Sequence, residues 1–423
     1  STRGADASLR LVGQGRMPFS ALAYVQVRDF ANSFAAVAAG RATASRTLDQ
    51  YSVPSTGLGA RAEIRPLTGP VELRLGADWR ETEGRTQENF QYRAGSPTRG
   101  RVAAGRTRTL GAFAEGSWAR GPLILTAGGR IDRWRILEGR LAERLLATGA
   151  PLADTAFPDR SGWEPTGRAG LSWRLAAPVT VRAAAYLGWR LPTLNELYRP
   201  FRAGADATAA NAALDPERLA GVEVGLDWIP VAGARLSATA FANRLTNAIA
   251  NVSLGPGPGL FPQVGFVAAN GTYRERRNVS AIDSRGIEID GRWSRGPWRA
   301  TLSYALVDAR IEAGDAAAAL DGKRPAQVAR HSGSAGLGWS GGRLTLDATA
   351  RLVGRQFEDD NNERRLPAAV TVEGVARLAL TGRLSLDARA ENIFDKPVIA
   401  ALGADATRER ALPRTLWIGF SLR

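Results

Sequence analysis

Nine side chains in two polar stretches have the types and spacing to do chemistry. Asn195, Tyr198, Arg199, Phe201 and Arg202 follow Trp189, and Tyr273, Arg274, Arg276 and Arg277 lie further along. Guanidinium forks and aromatic faces at this density suit the capture of an anionic solute by charge and stacking. They do not suit bond making. His331 is the only histidine and cysteine is absent, so neither a histidine-type nor a thiolate metal site can be built. No motif suggests a Ser-His-Asp arrangement, and a lone histidine at a strand start reads as a surface residue. The chain is therefore expected to bind rather than catalyse, with no cofactor. The stronger reading of Asn195 to Tyr198 is that they order the base of a loop. Asp359-Asp360-Asn361-Asn362 offers hard oxygen ligands for calcium but lacks EF-hand-like spacing, and reads as a solvated turn.

The elements that must carry these residues are strands. Short Gly/Pro turns recur at 65–70, 120–122, 176–178, 230–233, 295–297, 340–342 and 381–382. Between them lie polar loops of roughly 12 to 35 residues. Soluble all-β domains have loops of about 4–6 residues and no reason to keep the long ones on one side. An antiparallel barrel in an outer membrane does, with tight turns at the inner rim and long loops outside.

Polarity alternates along each strand. Leu344, Leu346, Ala348, Ala350 and Leu352 share one face, and Arg343, Thr345, Asp347, Thr349 and Arg351 share the other. The same split runs through 71–79, 287–293 and 384–391. The polar face is densely charged in nearly every strand, and each strand is expected to span about 10–12 residues, which suits a tilted membrane crossing. Trp118, Trp173, Trp228, Trp293, Trp298 and Trp339 lie on the apolar face beside short turns, where an aromatic girdle would mark the inner interface. A propeller would need four strands per repeat, and only two are seen.

The composition agrees. No run approaches 18 apolar residues, so no transmembrane helix is expected. The formal net charge is +15, but the arginines are spread through strands and loops rather than clustered. That favours anionic lipid headgroups or an anionic solute over nucleic acid. No linker interrupts residues 1–423, which read as one β architecture of about 17 strands. The odd count, no initiator Met and no signal peptide point to an absent N-terminal part. An open barrel leaves edge strands unpaired, so further strands are expected from that part or from another chain.

Motifs then give a resemblance. Gly188-Trp189-Arg190-Leu191-Pro192-Thr193-Leu194-Asn195-Glu196-Leu197-Tyr198 is similar to a segment of TonB-dependent outer-membrane receptors. Asn211-Ala212-Ala213-Leu214-Asp215-Pro216-Glu217 with Gly221 and Glu223-Val224-Gly225 resembles the family's next block. So do Ser284-Arg285-Gly286-Ile287-Glu288, Val353-Gly354-Arg355-Gln356-Phe357-Glu358-Asp359-Asp360, Ala390-Glu391-Asn392-Ile393-Phe394-Asp395-Lys396-Pro397, and Pro413-Arg414-Thr415-Leu416 with Gly419, all in family order. Two departures stand out: Arg423 ends the chain where the family usually has an aromatic residue, and Val398 and Ile399 follow Pro397 where a Tyr is usual.

The resemblance implies a 22-stranded barrel in the outer membrane of a Gram-negative bacterium, with an N-terminal plug and about five strands missing here. It implies import of a scarce solute, most often a ferric siderophore, energised by the TonB inner-membrane coupling complex through the missing part. The nine side chains would supply loop and wall contacts to the solute. The alternatives are a receptor for cobalamin or another nutrient, a passive porin-like channel, and a surface adhesin barrel.

Overall fold

In a computed structural model describing residues 1–38, 40, 42–403 and 407–422, the chain is one continuous antiparallel meander. Its wall strands are β1 (Thr2–Gly13), β2 (Phe19–Val37), β3 (Ala44–Ile64), β4 (Val71–Arg93), β5 (Ser96–Arg120), β6 (Leu123–Leu145), β7 (Arg160–Ala176), β8 (Val179–Arg190) and β9 (Glu217–Trp228). They continue as β10 (Ala234–Thr246), β11 (Ala281–Arg295), β12 (Trp298–Glu312), β13 (His331–Gly341), β14 (Leu344–Val353), β15 (Ala369–Ala379), β16 (Leu384–Glu391) and β17 (Thr415–Leu422). Each strand pairs with the next in sequence, and two short segments, Leu67–Thr68 and Pro151–Ala156, bring the sheet to 19 strands. The 17 expected crossings are thus present. Among the described residues no ladder joins β1 to β17. Arg423, the departure at the terminus, lies outside the described residues.

The tight turns are where the glycines put them. Gly121 (φ 56°), Gly296 (φ 56°) and Gly342 (φ 58°) hold the left-handed conformation that lets a hairpin close in two residues. At this rim the tryptophans lie in register. Trp298 sits opposite Trp339, and Trp173 opposite Leu123. Trp228 faces Val179, and Trp118 faces Val71. Their side chains point away from the inner charges and form the girdle expected of an inner interface.

Strand length departs from expectation. Instead of about 10–12 residues, β5 runs 25 and β4 and β6 run 23 each. Beyond the span of a bilayer the hairpins continue as an outer extension, and there charges appear on the outward face too. Glu81 opposes Arg108, and Glu83 opposes Arg106. A strand with both faces in water has no apolar face to end the pattern, so its length cannot be read from alternation alone. Of residues 32–55, ambiguous in sequence, 32–37 and 44–55 belong to such a hairpin, with Val37 opposite Ala44, and residues 39 and 41 lie outside the described residues.

The inward faces hold one another through ion pairs. Glu63 accepts from Arg61, Arg65 and Arg74, and Arg74 reaches on to Glu115. Arg130 bridges Asp78 and Asp132, Arg182 meets Asp227, and Arg299 meets Asp347. Such ladders couple neighbouring strands through charge-assisted bonds. Apolar packing is confined to the outer half of the interior, where Ala103, Trp134, Ile136, Leu141, Leu197, Tyr198 and Leu214 form a buried cluster.

Candidate functional site

The site grows from the loop after β8. Pro192 stops the strand, and Thr193 caps a single helical turn, α1 (Leu194–Tyr198), through a reciprocal capping box with Glu196. Arg190 binds both Glu196 and Glu217, holding α1 to the start of β9. Burial opposes ionisation of Glu196, but Arg190 and the Thr193 backbone and hydroxyl outweigh it and keep the carboxyl below its usual range. The turn is driven inward. Leu197 and Tyr198 are buried, and Tyr198 stacks on Phe157 at 5.0 Å between centroids. The wall makes room with glycine: a β-carbon on Gly139 would lie 2.4 Å from the Tyr198 ring, and one on Gly105 2.8 Å from it. Asn195-Glu196-Leu197-Tyr198 is thus packed as a loop base, as the stronger sequence reading expected.

Behind α1 lies a buried carboxylate. Glu88, 1% exposed, accepts from Gln50 (3.0 Å), Arg101 (3.0 Å) and Arg199 (2.6 Å). Arg101 also approaches Glu143 and lies 4.4 Å over the Phe90 ring.

The second predicted stretch meets the first. A four-stranded sheet inserts from the outer side, ordered Phe201–Ala203, Asp206–Ala209, Thr272–Asn278 and Ile249–Pro256. Ala207 pairs with Tyr273 and Thr208 with Arg274. Arg276 donates to the carbonyls of Asn195 and Arg199, serving the open end of α1, and sits 4.9 Å over Phe201. Burial pushes its guanidinium down to about 10, against the pull of Glu196. Arg274 pairs with Asp206, Arg277 with Glu275, and Tyr273 stacks on Phe261 at 4.5 Å. The Asn195 side chain is exposed and makes none of the described hydrogen bonds.

Phe201 and Arg202 do open onto space. With Phe90, Arg99, Arg101 and Phe261 they line a cleft of about 340 Å³ between the β4–β5 hairpin and the inserted sheet. Arg202 gives one nitrogen to the carbonyls of Val264 and Phe266. Burial, then repulsion from Arg101, lowers its affinity for its proton. The cleft therefore concentrates positive charge between aromatic walls, with Glu143 the one carboxylate in its lining. Phe90, Arg99 and Arg101 were not singled out in sequence. Their signal is local: Phe90 lies opposite Arg99 in one hairpin, and Arg101 shares Arg99's face.

The acidic turn is not a solvated one. Asp359 is buried and accepts from the Glu363 and Arg364 amides, while Asn362 clasps the Arg324 backbone. Among the described residues no three His, Cys, Asp or Glu side chains converge as a metal site.

A wall of paired hairpins, apolar outside with an aromatic inner rim and charged inside, is the structure of an outer-membrane β-barrel. Residues 5–393 match the family described as TonB dependent receptor-like, beta-barrel, and the chain belongs to that family. It is 24% identical over 249 residues to a vitamin B12 transporter of Photobacterium profundum, covering 57% of this chain and 36% of that one. A vitamin B12 transporter of Vibrio vulnificus is 25% identical over 244 residues, covering 57% and 34%. The aligned stretch is thus about a third of each relative's length. Among solved structures, the ferric yersiniabactin uptake receptor of Yersinia pestis superposes with a TM-score of 0.74 at 16% identity, covering 100% of this chain and 61% of that one. The ferric-catecholate import receptor of E. coli gives 0.75 at 16%, covering 100% and 64%.

Proposed function

We propose that this chain forms the barrel wall and outer mouth of a TonB-energised importer whose solute is an anionic chelate, a ferric siderophore above all. The observation that carries the solute class is the cleft at Phe201 and Arg202. There Arg99 and Arg202, which form no ion pair among the described residues, stand between the Phe90, Phe201 and Phe261 rings, and a planar anionic ligand would meet both their charge and those faces. The protein does no chemistry on the solute. Energy would arrive through the inner-membrane coupling complex, acting on an N-terminal plug supplied by the rest of the gene product. A second reading, cobalamin as solute, is favoured by the two vitamin B12 transporters among its sequence relatives.

Uptake of labelled ferric siderophores and of cobalamin by cells carrying the complete gene tests both readings. Uptake of a ferric chelate that stops when the coupling system is deleted supports the proposal. Coupled uptake of cobalamin alone would replace the solute. Uptake that persists without the coupling system would make the barrel a passive channel, and no uptake of any solute would favour an adhesin.

A further inference from the structure

The outward face of β6 and β7 carries two arginines that the transport reading does not use. Trp134 and Ile136 belong to the interior cluster under α1. Alternation therefore turns Arg133 and Arg135 outward. Arg133 lies opposite Trp163 and Arg135 opposite Ser161. The Arg133 guanidinium sits 5.2 Å over the Trp163 ring and donates to the Ser161 hydroxyl at 3.0 Å. Trp163 itself is 58% exposed. Neither arginine forms an ion pair among the described residues. The neighbouring outward carboxylates are taken, since Glu81 binds Arg108 and Glu83 and Glu138 bind Arg106.

Their height is that of a lipid headgroup. Trp163 lies ten residues along β7 from the inner-rim Trp173, which at ~3.3 Å per residue and a ~40° tilt is about 25 Å, the height of a barrel's apolar band. Directly inward of Trp163 the outward surface drops into an apolar groove of about 450 Å³. Gly167, Ala169, Ala185 and Ala220 floor it, and Leu187 and Val222 wall it. Small side chains there leave an acyl chain free to lie against the backbone.

We propose that Arg133, Arg135 and Trp163 form a binding site for an anionic, phosphate-bearing lipid of the outer leaflet, with one of its acyl chains in the groove below. The planar guanidinium held on an indole face presents its remaining donors to a phosphate, and the groove fixes the chain that follows the headgroup.

Native mass spectrometry of the complete receptor in detergent reads this directly, with dilauroyl phosphatidylglycerol, neutral dilauroylglycerol and inorganic phosphate as probes. Phosphatidylglycerol should bind roughly ten- to thirty-fold more tightly than dilauroylglycerol, as two interfacial arginines supply, and inorganic phosphate should not compete at equal concentration. Arg133→Gln with Arg135→Gln should abolish that preference, while Gly167→Leu should weaken both lipids and keep the preference. Equal binding of the two lipids by the unaltered receptor, or a preference surviving the double substitution, overturns the site. Phosphate competing as well as the lipid overturns the role of the groove. The comparison of probes on the unaltered receptor stands even where a variant fails to fold.

Discussion

The Arg199 Nε donates to the Glu88 carboxylate at 2.6 Å, across 111 residues of chain, and so fastens the loop carrying α1 to the outer extension of β4. Glu88 also serves Gln50 and Arg101, so one buried carboxylate neutralises two arginines. Glu88→Gln keeps the shape and removes the charge, leaving both guanidiniums without it. Breaking a buried pair from one side costs about 3–5 kcal/mol. The loss should appear as faster proteolysis within 191–216 and a lower urea midpoint in lipid vesicles, with the inner rim unaffected. Unchanged cleavage would show that the loop is held elsewhere.

The notch for Tyr198 makes a steric prediction. Tyr198→Ala removes the ring that fills the space over Gly105 and Gly139, and should cost about 3–5 kcal/mol by analogy with buried aromatic truncations. Gly139→Val should be no milder, because its first added carbon already overlaps the ring. Thermal unfolding of the three proteins settles the matter; a Gly139→Val protein as stable as the unaltered one would mean that α1 docks elsewhere.

The lipid assignment separates adjacent residues. Leu346 is outward, in a row with Trp339, Ala376, Ala388 and Ile418. Thr345 is inward. An arginine on the lipid face at mid-bilayer costs about 2–4 kcal/mol, and much less near the interfaces. Leu346 faces the girdle residue Trp339 near the inner interface, so the mid-strand pair gives the test. Urea titration in vesicles should find Ala350→Arg, outward between Ala335 and Val372, far more damaging than Thr349→Arg, and equal effects would reverse the facing of β14.

Two loop carboxylates should show opposite pH behaviour. The Glu196 carboxyl is held below its ordinary value of 4.5 despite burial, by Arg190 and Thr193. Its contribution is present above that value and lost as pH falls through the lower folded one. Glu196→Gln should therefore destabilise at neutral pH and become neutral in acid. Burial raises Asp360 above 3.8, in spite of Arg274 and the Ala326 amide. Its ionisation weakens the fold as pH rises through the raised value, so Asp360→Asn should stabilise at neutral pH with no gain below 3.8. Melting temperatures of both variants across pH give the two signs.

Much of the wall was legible because a membrane barrel writes its geometry locally. Period two, a glycine at φ 56–58° in three of the tight turns, and tryptophans beside those turns need only neighbouring residues. The site was legible only in part. Phe201 and Arg202 line the candidate cleft, but Arg276 serves the carbonyls of Asn195 and Arg199, 81 and 77 residues away. Nothing local in a run such as Tyr273-Arg274-Glu275-Arg276-Arg277 says which arginine turns inward to a backbone and which faces a solute. The outer extensions were missed for a related reason: with water on both sides, Glu81 and Arg108 obey no facing rule.

The cleft gives the last prediction, and it separates binding from folding. Arg202 gives one nitrogen to the Val264 and Phe266 carbonyls and lines the cleft, whereas Arg276 serves the two carbonyls at the end of α1 and the Phe201 ring and does not line it. If an anionic chelate fills the cleft, Arg202→Gln in the complete receptor should weaken its binding about tenfold, the scale of one charged hydrogen bond, with a small fall in melting temperature from the Val264 and Phe266 carbonyls it also serves. Phe201→Leu should weaken it less and Arg99→Gln comparably, and affinity should fall as salt rises. Arg276→Gln should instead lower stability, because the end of α1 loses its donor. Titration calorimetry with a ferric chelate and with cobalamin, beside melting curves, reads each variant twice. Affinity untouched by Arg202→Gln and Arg99→Gln would place the solute outside this cleft, and leave these arginines to the loops alone.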